Sequence, residues 1–121
     1  MPAEYRIENG IIHITLEGQH PIDELLEFVE AALSDPQAEL PARILVNAVK
    51  STAVRKPSEV QHAASVMSSW SSRIGRIAVV TGSELHYGLV RIGIAMSSLS
   101  SFDVRPFRSY DEALRFLGED T

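Results

Sequence analysis

At 121 residues with 45% hydrophobic content, the chain can bury one core and is too short for two typical domains, so a single domain over residues 1–121 is expected. The absence of cysteine excludes disulfides, thiolate metal sites and cysteine nucleophiles, and fits a reducing compartment, with cytoplasm the default location. A net charge of −5 disfavours nucleic acid as a partner, and Lys50, Arg55 and Lys56 make only a local basic loop. No apolar run approaches the roughly 20 residues needed to cross a bilayer, and the N-terminus lacks the basic-then-apolar pattern of an export signal.

Glu4–Glu8 and Ile11–Glu17 read as two strands separated by Asn9-Gly10, residues that tolerate the positive φ of a tight turn, so they should form an antiparallel hairpin at a sheet edge. Ile12, Ile14 and Leu16 alternate with His13, Thr15 and Glu17, which predicts one buried face and one wet or half-covered face. Pro21 suits the first turn of a helix whose inner stripe is Ile22, Leu25, Leu26, Val29 and Leu33, with Asp23, Glu24, Glu27 and Glu30 outside and Asp35-Pro36 as its stop. Arg43–Val49 is nearly continuous in apolar residues and reads as an interior strand. Pro57 then leads into a second helix, where Ser58 and Gln61 have the spacing of a capping box. Val60, Ala64, Met67 and Ile74, flanked by Ala63 and Trp70, are its expected inner face, and Gly75 its stop.

Arg76–Gly82 contains the run Ile77, Ala78, Val79, Val80, which has no polar alternate and predicts a strand covered on both faces. Thr81-Gly82-Ser83-Glu84 supplies a turn glycine, N-cap hydroxyls and an early carboxylate, so a third helix should start near Ser83. Leu85, Leu89, Ile92, Met96 and Leu99 form its expected core stripe, and Tyr87, Val90 and Ile94 fall opposite. A helix apolar on both sides leaves one face for a partner or ligand, which makes Tyr87, Val90 and Ile94 the candidate interaction face. Phe102–Phe107 gives a short last strand, and Asp111 and Glu112 open a final helix that docks Ala113, Leu114, Phe116 and Leu117 before Gly118. The order ββαβαβαβα implies an α/β fold: a mainly parallel sheet of about five strands with an antiparallel N-terminal edge strand, right-handed crossovers and about four helices.

This arrangement resembles the SpoIIAA-like fold of STAS domains and anti-sigma-factor-antagonist relatives, itself akin to the lipid-binding CRAL-TRIO fold. The resemblance rests on Ile11–Gly18 leading into an acidic amphipathic helix, on Ile44-Leu45-Val46-Asn47, on Arg76–Val80, and on the tail Val104-Arg105-Pro106-Phe107 followed by Tyr110–Leu117. Small stand-alone SpoIIAA-like proteins have a similar tail, with Trp usual where this chain has Phe116. Antagonist members carry a phosphorylatable serine in an Asp-Ser-Ser-Gly-type turn. Here the region holds Lys50-Ser51-Thr52 and Ser58, with no such glycine and with Pro57 intruding, so Ser58 is the phosphosite that the resemblance implies and a plain helix cap is its structural counterpart.

The chemistry-bearing residues are scattered. His13, His20, His62 and His86 show no metal spacing and read as surface histidines, and nothing in the spacing makes the acidic row of the first helix converge on a metal. There is no Gly-x-Ser-x-Gly elbow, no Gly-x-Gly-x-x-Gly and no P-loop, so no catalytic residue, metal or cofactor is assigned and no enzymatic activity is expected. In an open α/β sheet ligands gather beyond the carboxyl ends of the strands, where Lys50, Ser51, Thr52, Thr81, Gly82 and Ser83 form a candidate anion site. Two functions follow: a regulatory interaction module that docks a protein partner or forms a homodimer, and a carrier or sensor of a small apolar or lipid-like ligand; a phosphoserine-controlled partner-switch antagonist is the lesser alternative that the resemblance implies. Gly88 and Gly93, each unfavourable inside a helix by about 1 kcal/mol relative to Ala, would admit close approach of a ligand or of another element.

Overall fold

The computed structural model describes residues 3–19, 21–52, 56–70, 72–97 and 103–118. Its elements run β1 (Ala3–Glu8), β2 (Ile11–Gly18), α1 (Ile22–Leu33), β3 (Ala42–Ser51), α2 (Pro57–Ser68), β4 (Ile74–Thr81), α3 (Glu84–Ser97), β5 (Asp103–Phe107) and α4 (Tyr110–Phe116). The strands form one sheet in the order β1-β2-β3-β4-β5, with β1 antiparallel to β2 and the remaining pairs parallel. Asn9 and Gly10, at φ 54° and 76°, close the hairpin, and the register Glu8↔Ile11 leaves a two-residue turn. His20, Arg55, Leu99 and Phe102 lie outside the described residues.

Alternation along the strands sorts the core into two layers. Ile12, Ile14 and Leu16 of β2, Ile44 and Val46 of β3 and Ile77 of β4 pack with Val29, Ala32 and Leu33 of α1, and Met67 and Trp70 lean on this layer. Parallel neighbours joined in sequential order by crossovers of one hand require α1, α2 and α3 on one face, and α2 indeed packs between α1 and α3. The opposite layer, Ile11, Leu45, Ala78 and Val80, is covered by Ala113 and Leu117 of α4. Being buried on both sides, β3 and β4 are apolar at nearly every position, which is the pattern visible in Arg43–Val49 and Ile77–Val80.

A seven-residue helix such as α4 is too short to persist alone, and its docking has several anchors. The Ser109 hydroxyl accepts the Glu112 N–H at its start. At its end the Arg43 and Arg76 guanidinium groups donate to the Leu117 and Phe116 carbonyls at 2.9 and 2.7 Å, cations placed where helix carbonyls lack partners. Arg76 and Arg105 also lie over the Phe116 ring, 5.3 and 5.0 Å from its centroid.

Three expectations change. The second helix stops at Ser68, and Ile74 and Gly75 belong to β4: the serines after Met67 favour turns over helix, Arg73 donates its N–H to the Trp70 carbonyl, and Ile74 is worth more buried in the sheet, at 2% exposure. In place of the Ser58–Gln61 capping box the contact lies two residues earlier, where the Lys56 N–H donates to Glu59 Oε1 at 2.9 Å, the glutamate half of such a box. Because Pro57 has no N–H and a fixed φ it fits the first helical position, which moves the cap to Lys56. Finally, His13 is a buried residue, 5% exposed, since α4 roofs its side of β2 and the Tyr110 hydroxyl lies 3.3 Å from His13 Nδ1.

Candidate interaction surface

The start of α3 is fixed by its own residues. Ser83 caps it, its hydroxyl accepting the His86 N–H at 3.1 Å and its carbonyl the Tyr87 N–H at 3.0 Å. The Arg108 guanidinium donates to both carboxylate oxygens of Glu84, at 2.7 and 2.9 Å, and sits 4.5 Å from the centroid of the Tyr87 ring. Hydrogen bonding to Glu84, and next its negative charge, raises the Arg108 pKa above its usual range. These contacts place the Tyr87 flank beside the segment between β5 and α4.

The two apolar sides of α3 exchange the roles expected of them. Leu85, Leu89 and Ile92 face solvent at 68%, 38% and 57% exposure, while Tyr87 and Val90 are half-buried. The side chains of Ile94 and Met96 lie outside the described set. Tyr87 and Val90 are therefore not the open apolar face of this helix among the described residues; Leu85, Leu89 and Ile92 are. The physical reason is that α3 packs over β4 and the short edge strand β5 and beside α2, which cover one flank only, and the Glu84–Arg108 pair lies beside the covered Tyr87 flank.

The candidate anion residues come together at the carboxyl ends of the two interior strands. Ala48 pairs with Thr81, so Lys50, Ser51 and Thr52 end β3 beside Thr81, Gly82 and Ser83 at the end of β4. Ser51 and Thr81 are buried, whereas Lys50, Thr52, Gly82 and Ser83 are exposed. The Thr52 N–H is taken by the Gly18 carbonyl at 2.9 Å and the Ser83 hydroxyl by the helix cap. Gly82 is required here for close approach: a Cβ would lie 2.5 Å from the Val49 carbonyl oxygen. The Thr81 hydroxyl is buried with no hydrogen-bond partner among the described residues. Ser58 is exposed in the first turn of α2 and does not cap it.

Of the remaining histidines, His62 on α2 is exposed and lies 3.3 Å from Asp23 on α1, and His86 is half-buried in the first turn of α3. Among the described residues, no group of three or more His, Asp or Glu side chains is placed to hold a metal ion. No described helix is long and apolar enough to cross a membrane.

The five-stranded mixed sheet with this helix order is a SpoIIAA-like fold. Among solved structures the chain is similar to an uncharacterized protein of the DUF3478 family with a SpoIIAA-like fold, from Shewanella loihica PV-4. The two share 14% identity at a TM-score of 0.58, over 95% of this chain and 91% of the other, a likeness of fold. No family profile and no curated protein matches the sequence.

Proposed function

We propose that this chain is a non-enzymatic regulatory or protein-interaction module that self-associates through the outward apolar stripe of α3. The observation that carries the reading is the exposure of Leu85, Leu89 and Ile92, three large aliphatic side chains at helical spacing on one face. At roughly 1.5–3 kcal/mol per fully buried aliphatic side chain, covering what they expose is worth about 2–5 kcal/mol per protomer. Doubled by symmetry, that gain exceeds the lower end of the roughly 4–15 kcal/mol cost of association, so a weak, reversible dimer is the expected product. Binding suits the described surface better than catalysis, because the Ser83 and Ser109 hydroxyls are engaged as helix caps.

Sedimentation velocity across a concentration series tests this. A mass that rises from monomer to dimer at micromolar to millimolar protein, and an Ile92→Asp variant that stays monomeric with an unchanged circular dichroism spectrum, are expected. A wild-type chain that remains a monomer throughout removes the reading.

A further inference from the structure

The residues of α3 also determine how two copies would meet, and this step rests on the self-association just proposed. Gly88 lies at the centre of the exposed face: a Cβ built there would meet nothing within 4 Å. Leu85 and Ile92 are three residues before and four after it, on one flank. Glu84 and Arg91 are four before and three after, on the other. The stretch is thus nearly palindromic in chemical type about a residue with no side chain. The Glu84 side chain is 77% exposed even while paired with Arg108, and a carboxylate has about four acceptor sites, so it can take a further donor. Arg91 is exposed and, among the described residues, forms no ion pair.

We infer that the partner of this face is a second copy of the chain, packed with α3 antiparallel to α3 and crossing at Gly88, so that Glu84 of each protomer pairs with Arg91 of the other. A two-fold axis perpendicular to both helices reverses their direction but keeps each flank on its own side. It therefore brings Glu84 opposite the second copy's Arg91 on one flank, and Leu85 opposite its Ile92 on the other. A parallel pairing would instead set each charged flank against the apolar flank of the second copy, leaving Glu84 and Arg91 without cross-partners. Gly88 lets the two backbones approach at the crossing, as small residues do where helices pack closely.

Single-cysteine variants read this geometry directly, because the chain has no native cysteine. At an interaxial distance of about 8–10 Å and a Cα radius of about 2.3 Å, facing Cα atoms at the crossing come within about 3–5 Å, close to the range a disulfide spans. Positions three or four residues from the axis are separated from their own copies by about 9–12 Å along the helices, beyond that range. Under diamide, Gly88→Cys should form a covalent dimer, Leu85→Cys and Ile92→Cys should each form no covalent dimer, and an equimolar mixture of those two should cross-link. In addition, Arg91→Glu should raise the dimer dissociation constant about tenfold or more by setting like charges together. Homodimeric cross-linking at position 85 or 92, with none at 88, overturns the antiparallel pairing while leaving self-association through α3 intact. A chain that is monomeric by sedimentation and cross-links at none of these positions overturns both.

Discussion

Replacing Thr81 by valine should make the protein more stable. The residue ends β4 at 3% exposure, paired with Ala48 on the face that carries Ile77 and Val79, and its hydroxyl has no partner among the described residues. A buried hydroxyl left without a hydrogen bond costs about 1–3 kcal/mol. Valine has nearly the same shape, prefers strands at least as well and replaces the oxygen with a methyl group. The expected gain is therefore about 1–2 kcal/mol. With an unfolding entropy of about 2.1 cal/mol/K per residue, a chain of 121 residues gains about 4 °C in Tm per kcal/mol, or about 4–8 °C in all. Thermal and urea denaturation followed by circular dichroism measures it, and an unchanged urea m-value would show that the compactness of neither state has moved. A loss of stability of similar size would refute the reasoning, because it would mean that the hydroxyl is engaged. The carboxyl-end cluster with Lys50 and Thr52 would then be the place to look, and inorganic phosphate should raise the wild-type Tm but not that of Thr81→Val.

Gly82→Ala should destabilise by about 1–3 kcal/mol, since its Cβ meets the Val49 carbonyl oxygen at 2.5 Å and backbone on both sides must yield; a neutral result in urea would show that the loop relaxes freely. Tyr5→Phe should alter the alkaline limb of stability. Burial first, then the hydrogen bond to Asp35 and its charge, raise the Tyr5 pKa above 10.0. The folded state therefore holds its phenolic proton more tightly than the unfolded one, giving a contribution fully present below about pH 10 and lost as pH rises through the folded pKa. The variant should show a shallower decline above pH 10, and parallel curves for the two proteins would contradict this.

Strand identity and the succession of elements along the chain were readable, though not the order of strands across the sheet, because buried parallel strands leave a signature that needs no tertiary information. Ile77–Val80 and Arg43–Val49 are apolar at consecutive positions, and Asn9-Gly10 is a turn by backbone preference alone. The tail was readable as well, since Ala113 and Leu117 are spaced to dock and Gly118, at φ 85°, takes the left-handed conformation that ends α4. What the residues did not disclose was orientation. Periodicity shows that α3 has two apolar sides but is silent on which of them is covered, and that is decided by packing against α2, β4 and β5. His13 was misplaced for a related reason: alternation assigns it to the second face of β2, and only the docking of α4, 97 residues away at Tyr110, makes that face an interior. In both cases packing by elements distant in sequence decided the environment, which local spacing does not encode.

The most direct measurement is molar mass by multi-angle light scattering for the wild type beside Leu85→Asp, Leu89→Asp and Tyr87→Phe, each loaded at about 0.5 mM so that a weak dimer is populated. The wild type and Tyr87→Phe should elute with a mass between monomer and dimer that increases with loading, and the two aspartate variants should hold at 13.3 kDa. Identical monomeric mass in all four, or dimers that survive both aspartates, would contradict the assignment of the α3 stripe as the surface through which this chain associates.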